Sequence, residues 1–506
     1  MRALAVVAGG VLYALALPPF DWWGCAWFAL VPLLWAVRGS TVASAFRYGV
    51  LCGYAMGWAV TWCFADAAAR YFSLPLPVAV AALSTWYLVV CGVPFGCFAM
   101  ASVMLFRTRR DAEVVFLVPA VWVATEWLRG YVMGQPWALL GYTQYAESSV
   151  IQVATITGVY GVSFLVALGN AALAMLLRRP GSAGARWAIG AALAIIVVCA
   201  TAGSIAMQPG RAERGAVHEV AVVQTNVAPQ LHWTRAYTDA QVAAHLRASE
   251  ALPIGGPSLI VWPEHSVPRY LEREPMLAVE LARFATRHRA DLVFGGPRYA
   301  DGHTYNSARL ITAAGRNGGH YDKRRLVLFA EQKPVRLSAH GEASDSPEEF
   351  TAGTGSGVLR SFVPIGLSIC HEVVHPDLTR ASVRDGAELL VNIANDGWLD
   401  GEYAFAGRQH LAMAVFRAVE SRRFLVRAAT TGNSAVIDPY GRILTSQSPD
   451  TAGVITARVS GSRRLTPYVR AGDLFAVACV LIGLAALPWP ARIRRRRRPI
   501  VPVPAV

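Results

Sequence analysis

Residues 365–372 read IGLSICHE, an apolar run of the kind that forms a buried strand, and the run ends at Cys370. Two other polar residues adjoin short apolar runs in the same way. The run 258–262 (SLIVW) leads into Glu264, and Lys323 shortly precedes a third run. Because residues that flank strands lie at the edge of a sheet, the sequence predicts one site that combines a carboxylate, an amine and a thiol.

These three side chains are the parts needed for nucleophilic acyl transfer. Glu264 would take the thiol proton, and the thiolate of Cys370 would attack a carbonyl. Lys323, together with a backbone N–H, would stabilise the oxyanion. The ammonium is also expected to lower the pKa of the thiol. We therefore predict Glu264, Lys323 and Cys370 as catalytic residues.

The segment 207–473 has the pattern of an α/β domain. Short β-rich runs such as 219–223 (EVAVV) and 389–393 (LLVNI) alternate with helical stretches such as 275–289. Cys370 is the one cysteine in this polar part of the chain, so the sequence offers neither a disulfide within the domain nor a CxxC metal site. We predict an α/β domain with a single functional thiol.

The remainder of the chain is predicted to lie in a membrane. Hydrophobic residues make up 54% of the sequence and charged residues only 16%, which is typical of chains that meet lipid. The predicted domains are a seven-helix transmembrane domain (1–206), a catalytic domain (207–473), a C-terminal transmembrane helix (474–491) and a basic tail (492–506). The eight transmembrane helices are predicted from the apolar runs 3–19, 23–37, 49–67, 76–106, 113–128, 161–178, 187–206 and 474–490.

The placement of arginines predicts the orientation in the membrane. One set of alternate connections carries most of them, including the run 492–498, whereas the other set carries only Arg70 and Arg129 besides the large domain. By the positive-inside rule, both termini are then cytoplasmic and the catalytic domain is periplasmic. The net charge of +14 does not by itself predict nucleic-acid binding. The basic run 492–498 directly follows an apolar segment, which is typical of a residue run that anchors membrane topology.

The contexts of the predicted catalytic residues resemble a known superfamily. The order WPE (262–264), DKRRLV (322–327) and ICHE (369–372) is similar to that of the nitrilase, or carbon–nitrogen hydrolase, superfamily. The apolar runs and further motifs resemble its membrane-bound branch, the bacterial apolipoprotein N-acyltransferases. These motifs are QTN (224–226), PQ (229–230) with Trp233, YNS (305–307), NDGW (395–398), RAVE (417–420) with Arg423, and LTPY (465–468) with Arg470.

The resemblance implies a fold and a reaction. The expected fold is a multi-pass α-helical membrane domain plus a nitrilase-like αββα sandwich. The expected reaction takes an acyl chain from a phospholipid, typically phosphatidylethanolamine, onto Cys370 as a thioester. The chain then passes to the N-terminal amino group of the diacylglyceryl-cysteine of apolipoproteins, in the bacterial inner membrane. No metal or organic cofactor is implied.

The resemblance also implies roles for individual residues. It makes Cys370 the nucleophile, Glu264 the general base and Lys323 the oxyanion partner. It gives Glu331 the role of supporting the lysine. His371 departs from the family, which usually has an aromatic residue such as tyrosine there, and it is expected to alter substrate preference or pH dependence. Other positions that match important places in the family are Trp233, Asn306, Glu372, Trp398 and Arg423.

Three alternatives compete with this interpretation. Residues 371–375 (HEVVH) match the HExxH pattern of zinc proteases, which needs both histidines on one face of a helix. An amidase or nitrilase that hydrolyses a small molecule would use the same catalytic residues. A transporter with a periplasmic binding domain would explain the apolar helices, but it leaves the glutamate, lysine and cysteine unexplained.

Overall fold

The computed structural model describes residues 1–178, 182–208, 215–230, 232–328, 330–332, 349–398 and 405–488. The predicted basic tail (492–506) lies outside these residues. Helices fill the described chain up to Ala206, and two β-sheets with their covering helices follow. The predicted change from a helical part to an α/β part is therefore confirmed.

The helical part consists of helices of very different length. A π-helical turn, Leu88–Gly92, joins two of them into one continuous rod. The helices are α1 (Arg2–Leu15), α2 (Ala26–Ala29), α3 (Val31–Ala36), α4 (Val42–Thr61), α5 (Phe64–Tyr71), α6 (Leu76–Tyr87), α7 (Val93–Thr108), α8 (Asp111–Val132), α9 (Ser148–Ile151), α10 (Ala154–Thr157), α11 (Val159–Arg178) and α12 (Ala183–Ala206).

Three helical stretches of the described chain are long and apolar enough to cross a membrane, judged by length and composition. They are Leu76–Thr108, Val159–Arg178 and Ala183–Ala206. The other five predicted transmembrane helices remain predictions. One of them, over 23–37, is interrupted at Leu30, because Pro32 in the first turn of α3 has no N–H to continue the preceding helix.

Helices α4 and α7 approach each other closely through glycines. A Cβ on Gly49 would lie 2.2 Å from the carbonyl oxygen of Phe95, and one on Gly53 would lie 2.4 Å from that of Cys91. Such contact between backbones is the packing that small residues allow between helices in a membrane. Thr41 begins α4 by accepting a hydrogen bond from the N–H of Ser44.

Two six-stranded sheets form the α/β part. The strands are β1 (Val217–Gln224), β2 (Leu259–Val261), β3 (Asp291–Ala300), β4 (His303–Ile311), β5 (Asn317–Asp322), β6 (Val358–Arg360), β7 (Pro364–Ile369), β8 (Leu389–Ala394), β9 (Leu425–Ala429), β10 (Ser434–Ile437), β11 (Ile443–Gln447) and β12 (Gly453–Ser460). The strand orders are β12-β1-β2-β3-β4-β5 and β11-β10-β9-β8-β7-β6. Strands β1, β2 and β3 run parallel in the first sheet, and β7, β8 and β9 run parallel in the second. Within each set, the carboxyl ends of the strands therefore lie at the same edge of the sheet.

The two faces of each sheet are buried in different cores. In β1, Val220 and Val222 pack between the sheets, whereas Ala221 and Val223 pack against helices. This alternation follows from the two-residue period of a strand. Because both faces are buried, the central parallel strands are largely apolar rather than alternately polar, which is why their runs stand out in the sequence.

Helices cover the outer faces of both sheets. Residues of α13 and α14 pack on the first sheet, and α15 and α16 contact the second sheet. The result is the αββα sandwich expected from the resemblance. The helices of this part and of the described C-terminal region are α13 (Arg235–Ser249), α14 (Pro275–His288), α15 (Pro376–Arg384), α16 (Phe405–Ser421), α17 (Pro467–Ala471) and α18 (Leu474–Ala486).

Helix α16 joins the sandwich to the N-terminal helices. It is buried on nearly all sides, because it packs on the second sheet and also against the helical part. Nε2 of Gln409 donates hydrogen bonds to the carbonyl oxygens of Pro18 and Val60, at 3.1 and 3.2 Å. The carboxylate of Glu420 accepts one from the N–H of Val159 at 3.0 Å. These contacts fix the sandwich against the helical part.

Candidate active site

The three predicted catalytic side chains lie together at the edge where the strands end. Glu264 follows β2, Lys323 follows β5 and Cys370 follows β7. Nζ of Lys323 is 3.3 Å from Oε1 of Glu264, and all three residues line one cavity of about 330 Å³. Each is at most 4% exposed. The three side chains form one buried cluster that lines the cavity.

Cys370 adopts a backbone conformation that is unusual for its residue type. Its φ is +53°, in the left-handed region, which costs a residue with a side chain roughly 1–2 kcal/mol. It stands where β7 turns into a short 3₁₀ helix, Cys370–Val374. Its Sγ lies 4.0 Å from the carbonyl oxygen of Asn395. Such strain persists only where the surrounding structure holds the turn in place.

Glu372 holds this turn. Its buried carboxylate accepts hydrogen bonds from the N–H of Ile369 at 2.8 Å and from the hydroxyl of Tyr321 at 2.8 Å. It also accepts hydrogen bonds from the backbone N–H groups of Arg324 and Arg325, at 2.7 and 3.0 Å. One side chain thus ties the turn at Cys370 to the segment that carries Lys323. Glu372 is not among the described residues that line the cavity.

Glu372→Gln is expected to lower the free energy of unfolding by about 1–3 kcal/mol, because the new amide donor must face an N–H group that has lost its acceptor. Thermal unfolding of the purified protein measures this effect, with the exposed Glu280→Gln as the matched control. Equal unfolding temperatures for the two variants would contradict this role.

Asn306 and Glu331 orient the charged pair. Nδ2 of Asn306 donates to Oε1 of Glu264 and to Oε1 of Glu331, both at 2.7 Å. Glu331 also accepts a hydrogen bond from Nζ of Lys323 at 2.9 Å and one from the N–H of Val327 at 2.9 Å. The lysine is therefore held between two carboxylates, as the resemblance implied for Glu331.

The charges of the base and the lysine stabilise each other. Burial is the largest influence on Glu264 and alone would raise its pKa. The ammonium of Lys323 and smaller contributions, among them the hydrogen bond from Asn306, together outweigh burial, so the pKa lies below its ordinary value. Burial acts to lower the pKa of Lys323, whereas the carboxylates of Glu264 and Glu331 raise it well above its ordinary value. At neutral pH the site holds a charged base beside a charged ammonium.

The thiol of Cys370 is neutral in the resting site. Burial and then the charge of Glu264 raise its pKa well above the ordinary value, and the opposing effect of Lys323 is smaller. Lys323 therefore lowers the pKa of the thiol as expected, but it does not bring that pKa down to a usable value, because burial and Glu264 outweigh it. A neutral thiol must lose its proton before it can act as a nucleophile, and the charged carboxylate of Glu264 lies in the same cavity.

The weaker predictions have different outcomes. Trp233 lines the cavity, with its ring 5.0 Å from that of His265. Trp398 ends a short 3₁₀ helix, but its side chain lies outside what the structure describes. Arg423 is not brought to the site: its guanidinium donates to the carbonyl oxygens of Ala387 and Arg464. It supports the backbone where the second sheet meets the C-terminal segment.

The structure adds residues to the site that sequence reasoning missed. The backbone N–H of Asn395 donates to Oε2 of Glu264 at 2.9 Å. Ala67, Arg70 and Tyr71 of α5 line the cavity, although they belong to the N-terminal helices. The NDGW motif pointed to Asn395, but nothing local in the sequence links α5 to residues so far along the chain.

His371 lies against the helical part rather than in a metal-binding helix. Its ring stacks on Trp137 at a centroid distance of 5.5 Å, and its Nδ1 is 3.4 Å from Nε2 of His410. The residues from Cys370 to Val374 form a 3₁₀ helix, and Glu372 is occupied by backbone groups. The α-helix that a zinc-protease site needs is absent at this described segment, so the zinc alternative is wrong.

The chain is similar to known proteins along most of its length. Residues 9–172 match the family described as the apolipoprotein N-acyltransferase N-terminal domain, and residues 219–468 match the carbon–nitrogen hydrolase family. The chain is 34% identical to the apolipoprotein N-acyltransferase of Geobacter metallireducens, over 94% of this chain and 93% of that protein. It is 32% identical to that of Azotobacter vinelandii, over 99% and 97%.

Solved structures are similar to part of the chain. An amidase from Nesterenkonia sp. is 20% identical, with a TM-score of 0.38, and the match covers 54% of this chain and 99% of the amidase. The apolipoprotein N-acyltransferase N-terminal match falls on the helical part, and the carbon–nitrogen hydrolase match falls on the sandwich.

Proposed function

Because the chain belongs to the apolipoprotein N-acyltransferase family, we propose that it transfers an acyl chain from a phospholipid to an apolipoprotein. The donor is phosphatidylethanolamine. The acceptor is the N-terminal amino group of the diacylglyceryl-cysteine, so the reaction completes lipoprotein maturation. Cys370 carries the acyl chain between the two as a thioester.

One observation supports this proposal most strongly. The buried Cys370 thiol shares a cavity with Glu264 and Lys323, and α5 of the helical part forms one wall of that cavity. A nucleophile in a cavity that is lined partly by an N-terminal helix suits substrates that are anchored in lipid. An amidase acting on a small soluble amide has no need of such a wall.

The acylation half-reaction uses the three residues in distinct roles. Glu264 takes the proton from Sγ of Cys370 as the sulfur attacks the ester carbonyl of the phospholipid. Lys323 and a backbone N–H stabilise the negative charge that forms on the carbonyl oxygen. The ester bond then breaks, and the lysophospholipid alkoxide leaves with the proton held by Glu264. The product is an acyl thioester on Cys370.

The transfer half-reaction regenerates the enzyme. The acceptor amine attacks the thioester carbonyl, and Glu264 takes the proton that the amine loses. The bond to sulfur breaks, and the thiol recovers its proton from Glu264. The thioester retains the activation of the donor ester, so no nucleotide is consumed. Lys323 stabilises the oxyanion of this step as well.

The arrangement in the cell follows from the same proposal. The helices over 1–206 and 474–491 lie in the bacterial inner membrane, with both termini cytoplasmic. The domain over 207–473 faces the periplasm, where the lipidated acceptors are found. The placement of α5 against the sandwich supports this orientation, since it brings the connection that follows α4 to the side of the catalytic domain.

A matched pair of acceptors tests the proposal. A synthetic diacylated lipopeptide with a free N-terminus is expected to gain one acyl chain when incubated with the full-length protein and phosphatidylethanolamine. The same lipopeptide with an acetylated N-terminus should gain none. Mass spectrometry of the peptides measures both. Release of free fatty acid at the same rate with either peptide would instead identify a hydrolase and overturn the proposal.

A further inference from the structure

The short helix α5 brings Arg70 to the mouth of the catalytic cavity, and Asp66 lies one helical turn before it. Arg70 lines the cavity, yet its side chain is 59% exposed, so it stands where the cavity meets solvent. The hydroxyl of Tyr71 donates to the carbonyl oxygen of Ala330 at 2.7 Å. This contact fixes the helix beside the segment that carries Glu331.

The guanidinium of Arg70 forms one ion pair and keeps further N–H donors for another partner. Its Nε lies 3.0 Å from Oδ2 of Asp66, one helical turn earlier. Within the described residues, its two terminal nitrogens have no hydrogen-bond or ion-pair partner. Held by Nε, the planar group presents those nitrogens as a pair, which is the geometry that binds phosphate bidentately. The other cation of the cavity, Lys323, is enclosed by two carboxylates.

The position of this cation suits the donor proposed above. In a phospholipid, the ester that Cys370 attacks and the phosphate sit on the same three-carbon glycerol. When the ester carbonyl reaches the sulfur at the base of the cavity, the phosphate remains near its mouth. Arg70 is the charged side chain at that mouth among the described lining residues.

Asp66 supplies a complementary charge for the rest of the headgroup. Its carboxylate is 67% exposed, and its position four residues before Arg70 places the two side chains next to each other on the helix. The ammonium of phosphoethanolamine follows its phosphate by two carbons, so the headgroup carries its two charges at a similar spacing. We propose that Arg70 and Asp66 bind the phosphate and the ammonium of a zwitterionic phosphoethanolamine headgroup, an inference that rests on the proposed function.

The test compares two donors with identical acyl chains, phosphatidylethanolamine and phosphatidylglycerol, which carries no ammonium. The full-length protein is incubated with each below saturation, and the rate of acyl-enzyme formation is followed by intact mass. Arg70→Gln is expected to lower the rate about fivefold with both donors, and Arg70→Lys should recover part of the loss. Asp66→Asn is expected to lower it about threefold with phosphatidylethanolamine alone. Arg47→Gln, an exposed arginine near the start of α4, is the control and should change neither rate.

The ratio of the two rates makes the Asp66→Asn result independent of the folded fraction. For Arg70→Gln, which lowers both rates, the partial recovery in Arg70→Lys separates loss of the charge from loss of the fold. An unchanged donor ratio in Asp66→Asn overturns the inference, and so do wild-type rates in Arg70→Gln. If the wild type still forms an acyl-enzyme in those cases, the proposed function stands and only the headgroup assignment is lost. If the wild type forms no acyl-enzyme with either donor, both are overturned.

Discussion

Replacing Cys370 with alanine is expected to reduce acyl transfer to the acceptor lipopeptide by at least about 10⁴-fold. The reason is that Cys370 supplies the only thiol among the described residues lining the cavity, and no serine or threonine stands in for it. Transfer is measured by the mass gained by the peptide. Cys97→Ala, which removes an exposed thiol from α7, is the matched control and should keep wild-type activity. A Cys370→Ala protein with more than about a hundredth of that activity would contradict the role of the thiol.

Glu264→Gln is expected to slow acylation by about 10³-fold, because an amide cannot take the proton of a thiol that is neutral in the resting site. Lys323 keeps Glu331 as a partner in this variant, so the protein should remain folded. The measurement is the single-turnover rate of acyl-enzyme formation, with Glu280→Gln as the control. A fall of less than about tenfold would mean that another group acts as the base.

The ionisation of Glu264 is expected to set the pH below which the acylation rate falls. Lys323 and the other groups around Glu264 together outweigh burial and hold the pKa of Glu264 below its ordinary value of 4.5. Because the ionised carboxylate is the active form, acylation by the wild type should be lost only as the pH falls below 4.5. A limb above that pH would show that the carboxylate is not paired with the lysine as the structure has it.

Glu264 and Cys370 stood out in the sequence because each follows a buried strand, whereas Lys323 was singled out from the apolar run that it precedes. The parallel strands β2 and β7 are apolar on both faces, so their ends are visible as the ends of apolar runs, at Glu264 and Cys370. The hairpin of β4 and β5 was not predicted, because its strands carry polar side chains such as Asn306 and Ser307 among the apolar ones. Sequence pattern finds strands that are buried on both faces more readily than strands with mixed faces.

The parts of the site that depend on tertiary contact could not be predicted. The wall formed by α5 comes from a helix that meets the Glu331 segment only in the folded protein. The direction of the thiol pKa depends on how fully Cys370 is buried, which its charged neighbours in the sequence do not reveal. Arg423 matched a family motif, but a motif does not distinguish a residue that supports the backbone from one that faces the cavity.

The most direct test of the account is the intact mass of the wild-type protein after incubation with phosphatidylethanolamine. The account predicts a gain of one acyl chain, removed by neutral hydroxylamine and absent from Cys370→Ala. A well-folded wild type without this adduct, or a Cys370→Ala protein that still carries it, would contradict a thioester on Cys370.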